Sequence, residues 1–520
     1  MKLSRLLKPI KPIRITGISV DSWDNASALE IASIHYRSND VRPGGMFFAI
    51  KGNQTDGHRY IEDAVLNGAA VVVVDAAQPV NEIDAVVVCV EDTRKALAAL
   101  SSVFFNNPSE KLYLIGITGT NGKTTTAYLV EQLLHENGHD VGVISTINYR
   151  FHGKVYGNPL TTPESSDLQR ILAEMAATGV THVVMEVSSH GIALDRIYHC
   201  WFDMGIYTNL SQDHLDFHET MEEYWLCKKR FFTDHLMAGP KQNKAVAVIN
   251  TDNSKGMELA GAMKSAKFVS VGSKATNDVC ARDVRFDQYG MSGDIRFSDN
   301  DVCFKSGLIG RYNLENILCA AGAAQALNIS PEAAAHGIEL FENVPGRLER
   351  IPNESDRHVF IDYAHTPDAL ENVLATLKEV ISGRLICVFG CGGDRDKAKR
   401  PQMGKIAGRI SDFVVITSDN PRTENPETII EEIRKGMEDS LSREFKLYEI
   451  ENGFSEKGFI IEADREKAIH LGIRISRPED TILIAGKGHE DYQIIGTTTI
   501  SFDDKEKAVA ALGKLLVKAN

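Results

Sequence analysis

A glycine-rich turn between an apolar strand and a helical segment constrains the fold of this chain more than any other feature. The turn lies in the segment GITGTNGKTTT, and the β-branched run before it predicts a buried strand. Glycines let backbone amides approach an anion closely, and the N-terminus of the following helix adds favourable partial charge. Lys123 can offer a cation to nucleotide phosphates, and Thr124 can offer a hydroxyl to Mg²⁺. The segment therefore predicts nucleotide binding.

The turn is a variant of the general phosphate-binding loop. Ile117 stands where the pattern G-x-x-x-x-G-K-[ST] has its first glycine. Gly116 and Gly119 flank that position, so the backbone can still turn tightly. The alternative is a glycine-rich turn without a ligand, which the strand before it and the Gly-Lys-Thr after it disfavour.

Strands and helical segments alternate along most of the chain, which predicts an α/β protein with parallel sheets. A chain of 520 residues is expected to form about three domains. Breaks at 106–110 and 343–347 divide it into an N-terminal α/β domain over 1–110, a central parallel-sheet ATPase-like domain over 111–345, and a C-terminal Rossmann-like α/β domain over 346–520.

The charge and the cysteines restrict the class of protein further. The formal net charge is −14, so there is no global basic field for nucleic acid or for an anionic membrane. The N-terminus does not resemble a signal peptide, and no stretch approaches the ~18 apolar residues of a membrane span. We expect a cytoplasmic monomer whose eight cysteines are buried free thiols, as the apolar runs around Cys89, Cys319 and Cys387 indicate.

Polar clusters follow the predicted strands, where α/β proteins bind ligands. Glu186 ends an otherwise apolar strand, and a carboxylate there requires a metal or a salt bridge. Mg²⁺ beside the nucleotide would explain it. His214 and His218 follow another strand and indicate either metal or proton chemistry or a solvated loop.

A second group of polar residues suggests a receptor for an amino acid. Arg395 and Arg422 could hold carboxylates, and Glu490 could meet an ammonium group. Surface turns are the alternative at these positions. Asn313 and Asp362, near the second break, could equally be a helix N-cap and a turn residue.

Eight segments of this sequence, in the same order, resemble the Mur ligase family of bacterial cell-wall synthesis. They are TGTNGKTTT, EVSSHG, DHLDFH, VPGRLE, DYAHTPDAL, GCGGDRDK, DNPR and AGKGHE. The resemblance implies an ATP-dependent, ADP-forming ligase that adds a third amino acid to UDP-N-acetylmuramoyl-L-alanyl-D-glutamate for peptidoglycan. DNPR implies meso-2,6-diaminopimelate, because Arg422 can meet the distal carboxylate that lysine lacks.

Three other functions remain open at this point. A lysine-adding synthetase of the same family would share almost every motif except Arg422. A folylpolyglutamate-synthetase-like ligase would share the phosphate loop, but DNPR together with GKGHE is not expected there. A non-catalytic nucleotide-binding protein would be expected to lose Lys123, Glu186 or Lys228, and all three are present.

The resemblance also implies the residues of the ATP and metal sites. Catalysis would depend on Lys123, Glu186, His214 and Lys228. Mg²⁺ would bind Thr124, Glu186, His214 and Lys228, with Lys228 carried as a carbamate (N6-carboxylysine). ATP would contact Thr118, Gly119, Thr120, Asn121, Gly122, Lys123, Thr124, Asn313, Arg347 and Asp362.

It further implies the residues that bind the other two substrates. The N-terminal domain would bind the UDP group, although Arg37 and Asn39 flank Ser38 where the family usually has Asp and Arg. The UDP-linked dipeptide would contact Ser38, Thr161, Thr162, Ser188 and Arg196. Diaminopimelate would contact Arg395, Asp419, Asn420, Pro421, Arg422, Gly486 and Glu490.

Overall fold

The computed structural model describes residues 1–17, 27–52, 55–78, 82–263, 266–298, 300–438, 440–441, 443–450 and 453–519. The chain divides into two compact units. The first unit consists of Met1–Ala281, Arg296–Asn300 and Glu315–Ala334, and the second of Arg282–Ile295, Asp301–Leu314 and Ala335–Asn520. No helix within the described ranges is both long and apolar enough to cross a membrane.

The first sheet of the first unit has five strands in the order β1-β5-β4-β3-β2. β1 runs antiparallel to β5, and the other pairs are parallel. Alternate residues of β4 pack into two different cores, so both faces of this strand are covered. The elements are β1 (Arg14–Thr16), β2 (Ser33–His35), β3 (Gly45–Phe48), β4 (Ala69–Asp75), β5 (Val86–Val90), α1 (Leu3–Leu6), α2 (Ile61–Leu66) and α3 (Thr93–Phe104).

The second sheet has eleven strands in the order β16-β15-β14-β13-β12-β11-β6-β10-β7-β8-β9. From β13 to β7 every neighbouring pair is parallel. The strands are β6 (Tyr113–Thr118), β7 (Val141–Ile144), β8 (Asn148–Phe151), β9 (Lys154–Gly157), β10 (His182–Glu186), β11 (Met204–Tyr207), β12 (Val246–Asn250), β13 (Lys267–Gly272), β14 (Val279–Asp287), β15 (Gly290–Phe297) and β16 (Asn300–Ser306).

The helices between these strands follow the predicted alternation. A π-helix at Phe231–Leu236 continues directly from α8. The helices are α4 (Lys123–Glu136), α5 (Ser165–Ala177), α6 (Ser189–Ala193), α7 (Leu215–His218), α8 (Met221–Arg230), α9 (Ser254–Ala262), α10 (Arg311–Ala326) and α11 (Pro331–Leu340). Because β11, β6 and β10 are parallel neighbours, the residues that follow them meet at one edge of the sheet.

The sheet of the second unit has six strands in the order β17-β18-β22-β19-β20-β21. Only β17 is antiparallel within it, and separate apolar cores cover its two faces. The elements are β17 (Glu349–Ile351), β18 (His358–Asp362), β19 (Leu385–Phe389), β20 (Phe413–Ile416), β21 (Gly458–Ile461), β22 (Thr481–Ala485), the hairpin β23 (Tyr492–Ile495) and β24 (Thr498–Ser501), α12 (Pro367–Val380), α13 (Lys399–Ile410), α14 (Pro426–Met437), α15 (Arg465–Ile475) and α16 (Asp504–Ala519).

The α/β class and the parallel sheets are confirmed, and the prediction of buried thiols is wrong at one position. All eight cysteines are free, and seven of them are buried, but Cys303 is exposed. It lies in β16, where buried Phe304 and Ser306 alternate with exposed Cys303 and Lys305. An apolar neighbour in a strand points to the opposite face, so it does not predict burial of the next residue.

A buried ion pair supports the carboxyl ends of the strands in the second unit. Arg465 and Asp504 are fully buried, with Nε to Oδ1 at 2.7 Å and Nη2 to Oδ2 at 2.6 Å. The guanidinium also donates to the carbonyl oxygens of Ser418, at 3.4 Å, and Ala485, at 3.1 Å. The pair therefore holds together the backbone just before Asp419 and Gly486.

Replacing Asp504 with Asn should destabilise the second unit strongly, because it leaves a buried guanidinium without its counter-charge. We expect a loss of about 3 kcal/mol in the free energy of unfolding, measured by urea denaturation. Glu466→Gln is the matched control, since Glu466 and Lys507 form a partly exposed pair, at 2.8 Å, between the same two helices. The control should cost at most about 1 kcal/mol, and equal losses would contradict the argument.

Candidate active site

The glycine-rich turn connects β6 to α4 and can be built only with glycine at two positions. Gly122 has φ +83°, and a Cβ there would overlap the side-chain oxygen of Asn316. A Cβ on Gly119 would overlap the hydroxyl of Thr208. Helix α4 then begins at Lys123, and its N-cap residue, Gly122, has no side chain that could accept from the first amides of the helix.

Two lysine side chains converge on one carbonyl oxygen of this turn. Lys123 Nζ donates to Gly119 O at 2.9 Å and to Thr120 O at 2.7 Å. Lys228 Nζ donates to the same Gly119 O at 2.8 Å, and the residue is only 1% exposed. Burial, and then the nearby charge of Lys123, lower the pKa of Lys228 well below its ordinary value. The site therefore favours a neutral amine on Lys228.

Tyr224 links this lysine pair to the loop that carries His214. Tyr224 and Lys228 lie one turn apart on α8, and the Lys228 Nζ is 4.4 Å from the Tyr224 ring centroid. The Tyr224 hydroxyl lies 3.2 Å from Thr120 Oγ1, and its ring centroid is 6.1 Å from that of His214. His214 also approaches Asp213, at 3.5 Å, and the ring of His190, at 5.0 Å.

The Glu186 carboxylate is fully buried and is held by neutral donors. It accepts from Thr124 Oγ1 and from the Thr146 amide, each at 2.9 Å, and from Thr146 Oγ1 at 3.0 Å. The salt bridge that would have been its alternative explanation is absent from the described residues. The carboxylate instead lies beside the phosphate loop through its bond to Thr124.

The oxygens of Thr124 and Glu186 suit Mg²⁺, which prefers oxygen ligands and keeps several positions for water or phosphate. The described residues contain no group of three or more His, Cys, Asp or Glu side chains that could enclose a metal alone. A metal that binds one or two protein groups and completes its shell with nucleotide phosphates fits this pair of oxygens.

Most of the residues expected to contact the UDP-linked dipeptide lie directly beside Glu186. Thr162 Oγ1 donates to Glu186 O at 3.0 Å and lies 3.1 Å from Ser188 Oγ. Arg196 donates to Thr162 O at 3.1 Å and to the carboxylate of Glu164 at 2.7 Å. Thr161 Oγ1 lies 3.1 Å from Thr146 Oγ1.

Ser38 lies apart from this group. It is buried in a short 3₁₀ helix, Ser38–Asp40, and its carbonyl oxygen accepts from Asn67 Nδ2 at 3.1 Å. The first sheet meets the helices of the phosphate-loop sheet elsewhere, where the Tyr36 hydroxyl donates to the Asp167 carboxylate on α5 at 2.8 Å.

In the second unit, Arg347, Asp362 and Tyr363 form a compact group after β18. The Arg347 guanidinium lies 4.7 Å from the Tyr363 ring centroid, and the Asp362 carboxylate accepts from the Leu348 amide at 2.6 Å. Asn313 is an interior residue of α10 that donates to Ile309 O at 2.9 Å. The alternative that Asn313 is a helix N-cap is therefore wrong.

The residues expected to bind diaminopimelate gather at the carboxyl ends of β19, β20 and β22. Asn420 Nδ2 donates to Glu490 Oε2 at 2.9 Å, and Lys487 Nζ donates to the same oxygen at 3.1 Å. Lys487 also lies 4.0 Å from Asp419 Oδ1. A Cβ on Gly486 would come within 2.8 Å of the other Asp419 oxygen.

The two arginines of this group lie around Gly392 and Gly393. Arg422 Nη1 donates to Gly393 O at 2.9 Å, and Arg395 Nη1 donates to Asp394 O at 3.1 Å. Pro421 is buried, and its carbonyl oxygen lies so close to Gly393 that a Cβ there would overlap it.

Four residues of these groups were missed by the sequence analysis. Thr146 and Asn316 lie in segments without a motif, so only the fold brings them to the loop. Tyr224 and Lys487 could have been found, since one lies a helical turn before Lys228 and the other lies inside GKGHE.

Asp362 should make the stability of the second unit depend on pH. Burial raises its pKa to about 6, whereas Arg347 and the amides of Leu348 and Ala364 act in the opposite direction. The folded protein therefore keeps the Asp362 proton at pH values where the unfolded chain has lost it. The stabilisation of the folded state by this proton is complete below about pH 4 and is lost as the pH rises through about 6.

We expect the unfolding free energy of the wild type, minus that of Asp362→Asn, to fall by at most about 3 kcal/mol between about pH 4 and 7. Urea denaturation at several pH values measures this difference. A difference that stays constant over the range would contradict the buried, protonated carboxyl.

Three family models match the chain in sequence order. The Mur ligase family catalytic domain matches residues 30–105, the Mur ligase middle domain matches 117–324, and the Mur ligase glutamate ligase domain matches 346–488. A solved structure of a UDP-N-acetylmuramoyl-L-alanyl-D-glutamate--2,6-diaminopimelate ligase covers 99% of this chain and 100% of its own, with a TM-score of 0.69 and 29% identity. Folylpolyglutamate synthase from Mycobacterium tuberculosis has the same fold at 19% identity, covering 76% of this chain and 91% of its own, with a TM-score of 0.57.

Two relatives carry the same name as that ligase. The protein from Geobacter metallireducens is 46% identical over 518 residues, which are 100% of this chain and 99% of the relative. The protein from Gloeobacter violaceus is 41% identical over 491 residues, which are 94% of this chain and 95% of the relative. Identity at this level along the whole chain, together with the three matched models, establishes that the chain belongs to the Mur ligase family.

Proposed function

We propose that the chain is an ATP-dependent ligase that joins meso-2,6-diaminopimelate to UDP-N-acetylmuramoyl-L-alanyl-D-glutamate. The observation that carries the choice of amino acid is Arg422, held beside Gly393 at the edge that also bears Glu490 and Lys487. A diacid with amino groups needs both a fixed cation and a carboxylate, and this edge offers both. The two named relatives, which match 100% and 94% of the chain, support the same choice.

We propose that the reaction begins with activation of a carboxylate. An oxygen of the D-glutamate γ-carboxylate attacks the γ-phosphorus of ATP, the bond from phosphorus to the β-phosphate oxygen breaks, and ADP leaves. Lys123, whose amine lies at the loop beside Gly119 O and Thr120 O, would donate to the phosphates. The loop amides and this amine would stabilise the charge that develops on the transferred group.

The second step forms the amide bond. The product of the first step is an acyl phosphate. The amine of diaminopimelate attacks its acyl carbon, and the tetrahedral intermediate loses a proton and expels inorganic phosphate. The pairing of Glu490 with Lys487 and Asn420 would orient the amino-acid end of the substrate, and Arg422 and Arg395 would hold the distal carboxylate. Catalysis on this scheme is mostly positioning and charge stabilisation.

We assign Mg²⁺ to Thr124 and Glu186, with His214 and a carbamate on Lys228 as further ligands. When bound, Mg²⁺ would neutralise negative charge on the phosphates. The convergence of Lys123 and Lys228 on Gly119 O supports the carbamate. A neutral Lys228 amine can attack carbon dioxide and release a proton, and the product would be an anion beside the Lys123 cation.

The remaining assignments follow the order of the three matched models. We propose a UDP-binding domain over 1–110 that includes Ser38, an ATP-binding domain over 111–345, and an amino-acid-binding domain over 346–520. Thr161, Thr162, Ser188 and Arg196 would contact the muramoyl dipeptide, and Asn313, Arg347 and Asp362 the nucleotide. The substrates indicate a cytoplasmic enzyme, and we propose that it acts as a monomer.

The lysine-adding ligase is the second candidate, and Arg422 argues against it. Lysine has no distal carboxylate, so the partly buried Arg422 guanidinium would have no substrate group to bind. The folylpolyglutamate synthase shares only the fold at 19% identity.

Phosphate release tests the function directly. With ATP, Mg²⁺ and the UDP-linked dipeptide, we expect release with meso-diaminopimelate and little release with L-lysine or L-glutamate. Release with lysine alone would exclude the proposed amino acid, and release with none would exclude a ligase.

Arg422→Ala should lose use of diaminopimelate by roughly 10- to 100-fold in kcat/KM, while the dissociation constant for ATP stays unchanged. Arg434→Ala is the control, because Arg434 pairs only with glutamates on a partly exposed face of α14 among the described residues. Equal losses in both variants would contradict a substrate contact for Arg422.

Lys228 should carry a carbamate in the presence of bicarbonate. We expect a carbamate resonance in ¹³C NMR after ¹³C-bicarbonate is added, and its loss in Lys228→Gln with a roughly 100-fold lower rate of phosphate release. Lys229→Gln is the control, since Lys229 is adjacent and pairs with Glu258 at 3.1 Å. A resonance that persists in Lys228→Gln would contradict the assignment.

A further inference from the structure

Arg400 is a fully buried arginine that the proposed reaction does not use. It lies in α13, and its Nη1 donates to Glu424 Oε2 at 3.1 Å and to Glu432 Oε2 at 2.7 Å. Its Nη2 donates to Glu424 Oε1 at 2.8 Å and to Gly392 O at 3.2 Å. A buried guanidinium with two carboxylates and a backbone carbonyl is fixed in one orientation.

Glu424 connects this arginine to a second loop. The same Oε1 that faces Arg400 also accepts from the Asp394 amide at 2.6 Å. Lys397 lies 3.1 Å from the other oxygen. Arg400, and then the Asp394 amide, hold the pKa of Glu424 at about 2, so the carboxylate is ionised at every physiological pH.

The two loops that meet at Glu424 are those that carry Arg395 and Arg422. Asp394 precedes Arg395, and its carboxylate accepts from the Thr423 amide at 3.2 Å and from the Thr423 hydroxyl at 2.8 Å. Arg422 in turn donates to Gly393 O at 2.9 Å. Each loop therefore positions the arginine of the other.

Both loops contain a strained residue at the point where they meet. Asp394 has φ +52° and Arg422 has φ +50°, which is the left-handed region that a residue with a Cβ avoids. Such residues persist only where surrounding bonds determine their conformation. The bonds of Glu424 and Arg400 on one side, and of Ile494 O to the Arg422 amide at 3.1 Å on the other, supply that constraint.

We propose that the Arg400–Glu424 pair is a positioning device that fixes Arg395 and Arg422, and so sets the preference for an amino acid with a second carboxylate. The inference rests on the proposed function. Neither Arg400 nor Glu424 needs to touch the substrate. Two guanidinium groups bind one distal carboxylate well only when their separation and direction are fixed.

Glu424→Gln tests this, because the amide oxygen can still accept from Asp394 while the amide nitrogen cannot accept from Arg400. We expect the KM for diaminopimelate to rise by about 10-fold or more, with the KM values for ATP and the UDP-linked dipeptide within about 2-fold of wild type. The preference for diaminopimelate over lysine should fall by a similar factor. Arg400→Lys keeps the positive charge but loses the two parallel bonds of the guanidinium to Glu424. It should change the KM values and the selectivity in the same way.

Two controls on α14 separate positioning from stability. Glu431→Gln breaks an equally short pair, with both bonds to Arg434 at 2.7 Å, on a partly exposed face, and should leave all KM values unchanged. Glu432→Gln removes the other carboxylate of Arg400 but keeps Glu424 in place. It should lower the melting temperature and leave the KM for diaminopimelate within about 2-fold of wild type.

Thr423→Val provides a milder test at an exposed position, in case the buried variants do not fold. It removes the hydroxyl bond to Asp394 and should raise the KM for diaminopimelate in the same direction, by a smaller factor. Wild-type KM values and wild-type selectivity in folded Glu424→Gln, or in Thr423→Val if that variant alone folds, would overturn the inference and leave the ligase activity intact. Absence of phosphate release by the wild-type enzyme with any amino acid would instead overturn the proposed function.

Discussion

The Glu186 carboxylate at the end of β10 is the group on which the arrangement of the first unit depends. A buried carboxylate must be fully bonded, and the partners of this one come from two segments, while a third segment bonds to the backbone of Glu186. Thr124 fixes the start of α4, Thr146 fixes the segment after β7, and the carbonyl oxygen of Glu186 receives Thr162. One strand end therefore aligns the phosphate loop with the residues assigned to the dipeptide.

The lysine pair imposes a second constraint on the same edge. Lys123 and Lys228 both donate to Gly119 O, and two cations there would be unfavourable, so burial and the charge of Lys123 lower the pKa of Lys228. The structure thus holds a position where a group of opposite charge would be stabilised. On the proposed scheme, a carbamate on Lys228 would place an anion beside the Lys123 cation, and phosphates of a bound nucleotide would attract the same cation. The proposed carbamate and the proposed ATP site would in this way share one carbonyl oxygen, that of Gly119.

Strands that are buried on both faces could be predicted from the sequence. Continuous apolar runs such as Leu385–Phe389 and Thr481–Ala485 indicate a buried strand even when its neighbours in the sheet are unknown. It did not predict the hairpins β8–β9 and β23–β24, whose residues are mixed in polarity and pair only locally. Motif residues at strand ends could be predicted as well, because the end of each apolar run marks where they begin. Thr146, Asn316 and Arg400 were not, since their roles come from contacts between segments far apart in sequence.

In both units, the charged side chains that hydrogen bonds and ion pairs hold in place lie at the carboxyl ends of the strands. Such fixed side chains suit a ligand whose charged groups have fixed positions. Charged side chains at a rim face water and would adopt many conformations unless backbone and buried ions restrict them. Beneath the rim of the second unit, Arg465 and Asp504 hold Ser418 and Ala485, and Arg400 holds Gly392. The two buried arginines bond to backbone, and we propose that this backbone in turn positions Arg395 and Arg422. If the proposed function holds, selectivity for a distal carboxylate would depend on buried residues that do not touch the substrate.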